Sequence, residues 1–307
     1  MKSLSRRNFV RLSAAAAAFT SLAPSKMARA ASPYPGGDVG IYVSLNTQDV
    51  EETFKKITQL GFTSCELYTG KYSMDLAKPL KEAIEKYNMK VLALFTLGPG
   101  KNTWDFYEGQ NNIGLVSREY REARVDAMFQ LSDLASACGV DMIETHVGYI
   151  PENPNDPVYR ETVEALKRVV GYCKKNNQIF LYHAGQESPT TMLRTILDVG
   201  FDNQGIGMDT ANLIMYDRGH PTYSLEVYGK YIKLVNAKDG IYPVDPKNLG
   251  REVPLGQGKV DFPVFIKKLK ESGYNGPVII EREASHGEQW EKDVTQSREF
   301  LSVLLNS

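Results

Sequence analysis

The chain has 307 residues, with 36 Lys/Arg against 37 Asp/Glu and a formal net charge of −1. The first 30 residues hold six of the basic groups and no acid, so the remainder carries 30 basic against 37 acidic residues, a net of −7. That balance excludes nucleic acid and an anionic membrane surface as natural partners.

Residues 1–30 read as a twin-arginine export signal. Arg6 and Arg7 stand in SRRNFV, an alanine-rich run spans Leu12 to Leu22, and Ala28-Arg29-Ala30 offers the small residues a signal peptidase reads. The apolar run is well short of the ~20 residues a membrane span needs. The expectation is a periplasmic protein, free of the membrane once processed. Residues 31–307 are long enough for one α/β barrel or two small domains. The three cysteines, Cys65, Cys138 and Cys173, lie far apart without a CxxC pair. Their odd number fits buried free thiols better than a disulfide framework.

From Gly40 onward, strand-like and helix-like segments alternate eight times. The first strand is Ile41–Leu45, followed by a helix near Asp49–Gln59 that stops at Gly61. Ser64–Tyr68 is the second strand, with a helix around Leu76–Tyr87, and Val91–Leu97 is the third, leading into a Gly/Asn-rich loop with Trp104. A long helix over about Ser117–Ala137 precedes strand four, Met142–His146. The helix Tyr159–Lys175 shows Val163, Leu166, Val169 and Val170 on one stripe. Strand five is Ile179–His183, with a short helix near Thr190–Val199. Strand six is Gly205–Asp209 and strand seven Ile232–Asn236, separated by a loop and short helix over Leu213–Lys230. A loop over Asp239–Val260 precedes a helix capped by Asp261, with Pro263 just inside it. Strand eight is the apolar run Val278–Glu281 in GPVIIERE, and a helix over Glu288–Leu305 closes the chain. Eight β-then-α units predict a single-domain (β/α)8 TIM barrel, an α/β fold. The competing open doubly wound sheet lacks its signature, because no GxGxxG follows the first strand.

A parallel barrel keeps its chemistry at the carboxyl ends of its strands. Strands five to eight end in His183, Asp209, Asn236 and Glu281, and strand four adds Glu144 and His146. All four histidines, His146, His183, His220 and His286, fall at strand ends or in the loops just after them. Imidazole and carboxylate from neighbouring strands suit one divalent ion, Mn²⁺, Co²⁺, Mg²⁺, Fe²⁺ or Zn²⁺. Such an ion polarises a carbonyl or enediolate oxygen while a nearby base moves a carbon-bound proton. Lys238 is placed either to stabilise charge developing on an oxygen or to pair with Asp239. Glu187, Asn212 and Arg251 are candidates for sugar hydroxyls, and Trp104 and Tyr149 for stacking on a pyranose ring.

The motifs THVGYIPE after strand four, MDTAN at strand six, NAKDG at strand seven, EVPLGQGKVDF and VIIERE carry a resemblance. Nearly end to end beyond the signal, the chain resembles the xylose isomerase-like barrels called sugar phosphate isomerases/epimerases. That group includes D-tagatose 3-epimerase and inosose-processing enzymes, and is related to metal-dependent apurinic endonucleases. The resemblance implies a single divalent metal held by residues of strands five to eight, in the family Glu, Asp, His and Glu. By position these are His183, Asp209, Asn236 and Glu281, so the first glutamate and the histidine are both replaced. It also implies a two-base mechanism, with the strand-five and strand-eight glutamates on opposite faces of one carbon; in this chain the catalytic candidates are Glu281, His183, Lys238 and His146. With only Glu281 keeping its carboxylate, His183, Glu187 or His146 has to serve as the second base.

The expected activity is therefore a metal-dependent isomerase or epimerase acting beside a carbonyl on a non-phosphorylated sugar, cyclitol or glycoside. Export argues for that class, since phosphorylated sugars belong to the cytosol. A lyase or hydrolase of 3-keto-glycosides would use the same ion, and a non-catalytic periplasmic sugar-binding barrel would keep the loops and lose the metal. Neither reading needs more than a small-molecule carbohydrate partner, and both leave the pairing of barrels into a homo-oligomer open.

Overall fold

Strand-forming runs and capped helices alternate through residues 39–307, the part of the chain that the computed structural model describes. The export signal expected over residues 1–30 lies outside the described residues. Eight parallel strands close into a barrel: β1 (Val39–Ser44), β2 (Ser64–Tyr68), β3 (Lys90–Phe95), β4 (Met142–His146), β5 (Ile179–His183), β6 (Gln204–Asp209), β7 (Ile232–Ala237) and β10 (Val278–Ile280). Each pairs with its neighbours, and β1 closes the ring against β10 with Ile41 opposite Ile280.

The helices follow local rules. α1 (Val50–Gln59) is capped by Asp49, whose carboxylate accepts from the Glu52 amide, and buries Val50, Phe54 and Ile57 at helical spacing. α2 (Ala77–Lys86) and the four-residue α3 (Gly109–Asn112) precede the long α4 (Arg121–Cys138). The expected start of α4 at Ser117 is four residues early, because Ser117 is extended, at φ −62° and ψ 113°. α5 (Pro157–Lys175) and α6 (Pro189–Val199) each begin with proline behind a capping Asp156 or Ser188. Two short helices, α7 (Asn212–Met215) and α8 (Pro221–Tyr228), fill the β6–β7 connection. α9 (Phe262–Glu271) starts behind Asp261 as expected, and α10 (Gly287–Asn306) ends the chain. All three cysteines are buried free thiols.

Alternation along the strands divides the core. Phe180, Tyr182, Val235, Val278 and Ile280 pack outward with the helices, while Leu181, Leu234 and Ile279 form a separate apolar plug inside the barrel. Two residues further along the same strands come His183, Asn236 and Glu281, so the chain's periodicity stacks a polar layer directly on that plug.

The stretch 239–260, expected to be a loop, contains a two-stranded antiparallel ribbon of β8 (Asp239–Ile241) and β9 (Arg251–Val253). Three-residue strands are too short for alternation to show in sequence. The expected alternative pairing of Lys238 with Asp239 is not what forms. The Asp239 carboxylate instead accepts from the amides of Gly240, Gly256 and Gly258 at 2.9 Å and of Val260 at 3.1 Å. One carboxylate therefore gathers both ends of the excursion. Asp239→Asn retains the shape but turns an NH2 group toward two of those amides. It is expected to cost about 2–3 kcal/mol locally, read as faster hydrogen exchange across residues 240–260 than across the barrel strands.

Candidate active site

At the carboxyl-terminal rim of the barrel, β4, β5, β6, β7 and β10 deliver ionisable side chains to one buried cluster. His183 Nδ1 lies 2.7 Å from Glu144 Oε1, and both residues are buried. Glu144 accepts that N–H, which leaves Nε2 as the outward nitrogen, and a carboxylate behind an imidazole is how proteins orient a metal-ligating histidine. Gly207 makes this contact geometrically feasible. A Cβ there would sit 1.8 Å from Glu144 Oε1.

His183 Nε2, Asp209 and Glu281 each offer a ligand atom, all within 4.8 Å of one another. Asp209 Oδ1 accepts from the amides of Ala211 and Asn212 at 2.7 and 2.8 Å, while Oδ2 is buried without a hydrogen-bond partner. That free oxygen is 3.5 Å from His183 Nε2 and 3.6 Å from Lys238 Nζ. An imidazole lone pair facing an unpaired carboxylate oxygen is repulsive unless a proton or a cation lies between them. Two ligands of one ion with bonds of ~2.1 Å sit roughly 3.0–3.4 Å apart, close to this gap. The imidazole, carboxylate and carboxylate donors thus fit a first-row divalent ion. The side-chain Nδ2 of Asn212, 3.3 Å from Nε2, is the protein group such an ion has to displace.

Asn236 is the most altered of the expected ligands. Its Nδ2 donates to Glu66 Oε2 at 2.8 Å and to Glu281 Oε2 at 3.0 Å, so the amide first serves to hold Glu281 in place. Its Oδ1 is buried and unpaired, the atom left to reach a cation. Lys238 Nζ donates to Glu281 Oε1 at 2.8 Å and to Glu283. The neighbouring Arg282 faces away, bound to Glu252 and Asp293.

Electrostatics separates the roles. Burial pushes Glu281 up to about 7, against the pull of Lys238 and with a further push from Asp209. A carboxylate poised near neutrality suits a general base. For His183, burial opposes the charge, but the contacts with Asp209 and Glu144 outweigh it and hold the imidazole well above its ordinary range. His146 goes the other way, with burial and then the charge of His183 holding it well below 6.5. Its Nδ1 is 3.0 Å from Gln186 Oε1, so a neutral ring donates there and keeps its lone pair on Nε2.

These groups line a cavity of about 380 Å³ whose walls include Tyr42, Tyr68, Phe95, Trp104 and Tyr216. Trp104 meets His146 edge-on, with centroids 5.2 Å apart. Its loop is held by Arg124, buried in α4, whose guanidinium donates to the carbonyls of Pro99, Lys101, Asn112 and Gly114. Tyr149, the other expected stacking residue, is buried against Tyr216.

The structure brings together His146, His183, Asn212, Lys238, Glu281 and Trp104 in the cavity wall, with Asp209 and Asn236 buried behind them. It does not bring Arg251, which is exposed on β9; the ribbon offers Leu249 and Gly250 to the cavity instead. Glu187 is buried outside the cavity wall, taking a 3.4 Å contact from the Gly185 amide. Sequence reasoning missed Glu66, a lone acid inside the strand SCELY. Burial, then the charge and hydrogen bond of Glu144, hold Glu66 well above the usual carboxylate range. Glu66 Oε1 and Glu144 Oε2 both lack a donor, which a proton on Glu66 supplies. Reading β2 in phase with its neighbours, inward at every second residue, would have found it.

Residues 54–304 match the family model of the xylose isomerase-like TIM barrel, and the chain belongs to that family. Among solved structures it is similar to a xylose isomerase domain protein from Planctomyces limnophilus, at 29% identity over 88% of this chain and 98% of that one, with a TM-score of 0.82. A xylose isomerase-like TIM barrel protein from Mycobacterium smegmatis, solved in complex with magnesium, matches at 16% identity over 90% and 98% of the two chains, TM-score 0.66. The 3-keto-D-glucoside 4-epimerase of E. coli matches at 15% identity over 88% and 100%, TM-score 0.62. No curated protein matches the chain.

Glu187 gives a test of this electrostatic picture. Burial raises it from 4.5 to about 8, so between those values the unfolded chain releases a proton that the native state retains. Its contribution to stability therefore falls as pH rises through that window, by at most about 1.4 kcal/mol per unit. Glu187→Gln is expected to melt higher than the natural protein at pH 8, with the advantage shrinking toward pH 5.

Proposed function

We propose that this protein is a metal-dependent carbohydrate isomerase or epimerase, moving a proton beside a carbonyl on a non-phosphorylated sugar, cyclitol or glycoside. The observation that carries the reading is the buried convergence of His183 Nε2, Asp209 Oδ2 and Glu281 at one end of the barrel. His183, Asp209 and Glu281 would hold the ion, with Asn236 Oδ1 available beside them; when bound, the metal supplies Lewis-acid polarisation of the substrate oxygens. The magnesium complex of the Mycobacterium smegmatis relative supports an ion in a barrel of this kind.

The chain's own groups do the proton work. Glu281, oriented by Lys238 and Asn236, takes the proton from the carbon beside the carbonyl. His146 is the second proton-transfer group: the contact of its Nδ1 with Gln186 leaves Nε2 free and it shares the cavity with Glu281, so inversion has Nε2 take up a solvent proton and give it to the carbon while Glu281 holds the proton it removed. His183 is committed to Glu144 and Asp209, and Glu187 does not line the cavity. Aromatic walls suit a sugar ring and exclude water from the reacting carbon. Lys238, the lysine of that wall, is already matched by Glu281 and Glu283, which argues against a phosphorylated substrate. Export to the periplasm, as the N-terminal pattern suggests, fits the same substrate class.

The test is incubation of the metal-loaded protein in deuterated water with free ketoses and keto-glycosides. Deuterium is expected at the carbon beside the carbonyl, with inversion there. Chelation should abolish exchange, and Glu281→Gln should slow it by about 10²–10⁴-fold. Release of an aglycone would instead identify a lyase. Saccharide binding with no exchange under any divalent metal would leave only a binding barrel.

A further inference from the structure

A second cavity, larger than the first, opens beside it. It has a volume of about 510 Å³ and lies between the end of β1, the side of α1 that carries Thr53, Lys56 and Ile57, and the segment joining β10 to α10. Tyr42, Ser44 and Glu283 belong to the walls of both cavities, so the two adjoin along that seam. No residue of the outer cavity outside that shared seam belongs to the proton-transfer machinery described above.

Its lining has two characters. Val43, Ile57 and Leu60 provide apolar surface, and half-buried Trp290 provides an aromatic wall fixed by its Nε1 donating to the Arg282 carbonyl at 2.9 Å. Asn46, Lys56 and Ser285 add polar groups around it. The Lys56 ammonium lies over the Trp290 ring, 5.0 Å from its centroid, so a hydrogen-bond donor already caps part of one aromatic face. An aromatic wall rimmed by amide, hydroxyl and ammonium groups matches a pyranose, whose ring carbons are apolar and whose hydroxyls project around the edge. The ion-pair chemistry is balanced. Lys56 is paired with Glu291, and Arg282 with Glu252 and Asp293, so the cavity offers no unmatched cation to an anionic ligand.

We infer that the outer cavity is a second carbohydrate subsite and that the substrate is a two-unit glycoside, its reacting unit against Glu281 and His146 and its second unit against Trp290. This inference rests on the carbohydrate reading of the inner site and extends it to the substrate's size. The seam residues Tyr42, Ser44 and Glu283 then flank the glycosidic link.

The chain has two tryptophans, and each cavity is lined by one of them. Trp290→Phe therefore leaves a reporter in the inner cavity, and Trp104→Phe leaves one in the outer. Fluorescence titrations with D-fructose and D-glucose, then with lactulose, cellobiose and trehalose, read the two places separately. The expected result is that monosaccharides perturb Trp104 alone, while at least one disaccharide perturbs both reporters with the same midpoint. Calorimetry on the natural protein, which needs no variant, should show that disaccharide binding at least tenfold more tightly than its component monosaccharide. If Trp104 responds and Trp290 stays silent to every disaccharide, with equal calorimetric affinities, the outer subsite is wrong and the carbohydrate reading stands. Silence of both reporters toward all five sugars overturns both.

Discussion

The structure depends on keeping like charges together out of water. Asp209, Glu281, Glu144 and Glu66 are all buried within one barrel end, where an isolated carboxylate costs several kcal/mol. Lys238 answers two of them, His183 bridges Glu144 and Asp209, and burial beside Glu144 holds Glu66 well above the usual carboxylate range, which favours its uncharged form. The amide of Asn236 ties the Glu66 side of this network to the Glu281 side. Removing one partner leaves an uncompensated charge, which is why these residues act as a unit. The apolar plug of Leu181, Leu234 and Ile279 beneath them closes the other direction to water.

Much of this was readable from the chain because strand periodicity and strand endings are local. Apolar runs that stop at His183, Asp209, Asn236 and Glu281 announce both the barrel and the face on which those groups meet. The helix starts at Asp49 and Asp261 were equally local, since a cap acts within four residues, whereas the helices capped by Asp156 and Ser188 begin ahead of the expected Tyr159 and Thr190. What stayed hidden depends on contacts far apart in sequence. Glu66 joins the site through an amide 170 residues away. The β8–β9 ribbon is organised by an aspartate whose amide donors span the whole excursion, and Arg251 was misplaced with it. Arg124 looks like an ordinary helix residue until the carbonyls of the 99–114 loop are seen around it.

The replacements at strands five and seven change how the site manages charge. Histidine for glutamate at strand five removes a carboxylate and supplies a group that accepts a proton when no ion is present. Asparagine for histidine at strand seven trades a nitrogen ligand for an amide that positions Glu281. Only the first lowers the negative charge around Lys238, since an amide and a neutral imidazole are both uncharged. Glu281 is left as the one carboxylate near neutrality in the cavity wall, while burial and the charge of His183 hold His146 well below its ordinary range.

The two loops beside the cavity share one trait. Arg124 staples one through four carbonyls, and Asp239 staples the other through four amides. A mouth fastened on both sides behaves as a socket and not as a jaw. Ligands should enter and leave in a single diffusive step, with little ordering entropy to lose, so that under the proposed function bond chemistry, and not the opening of a gate, would govern turnover.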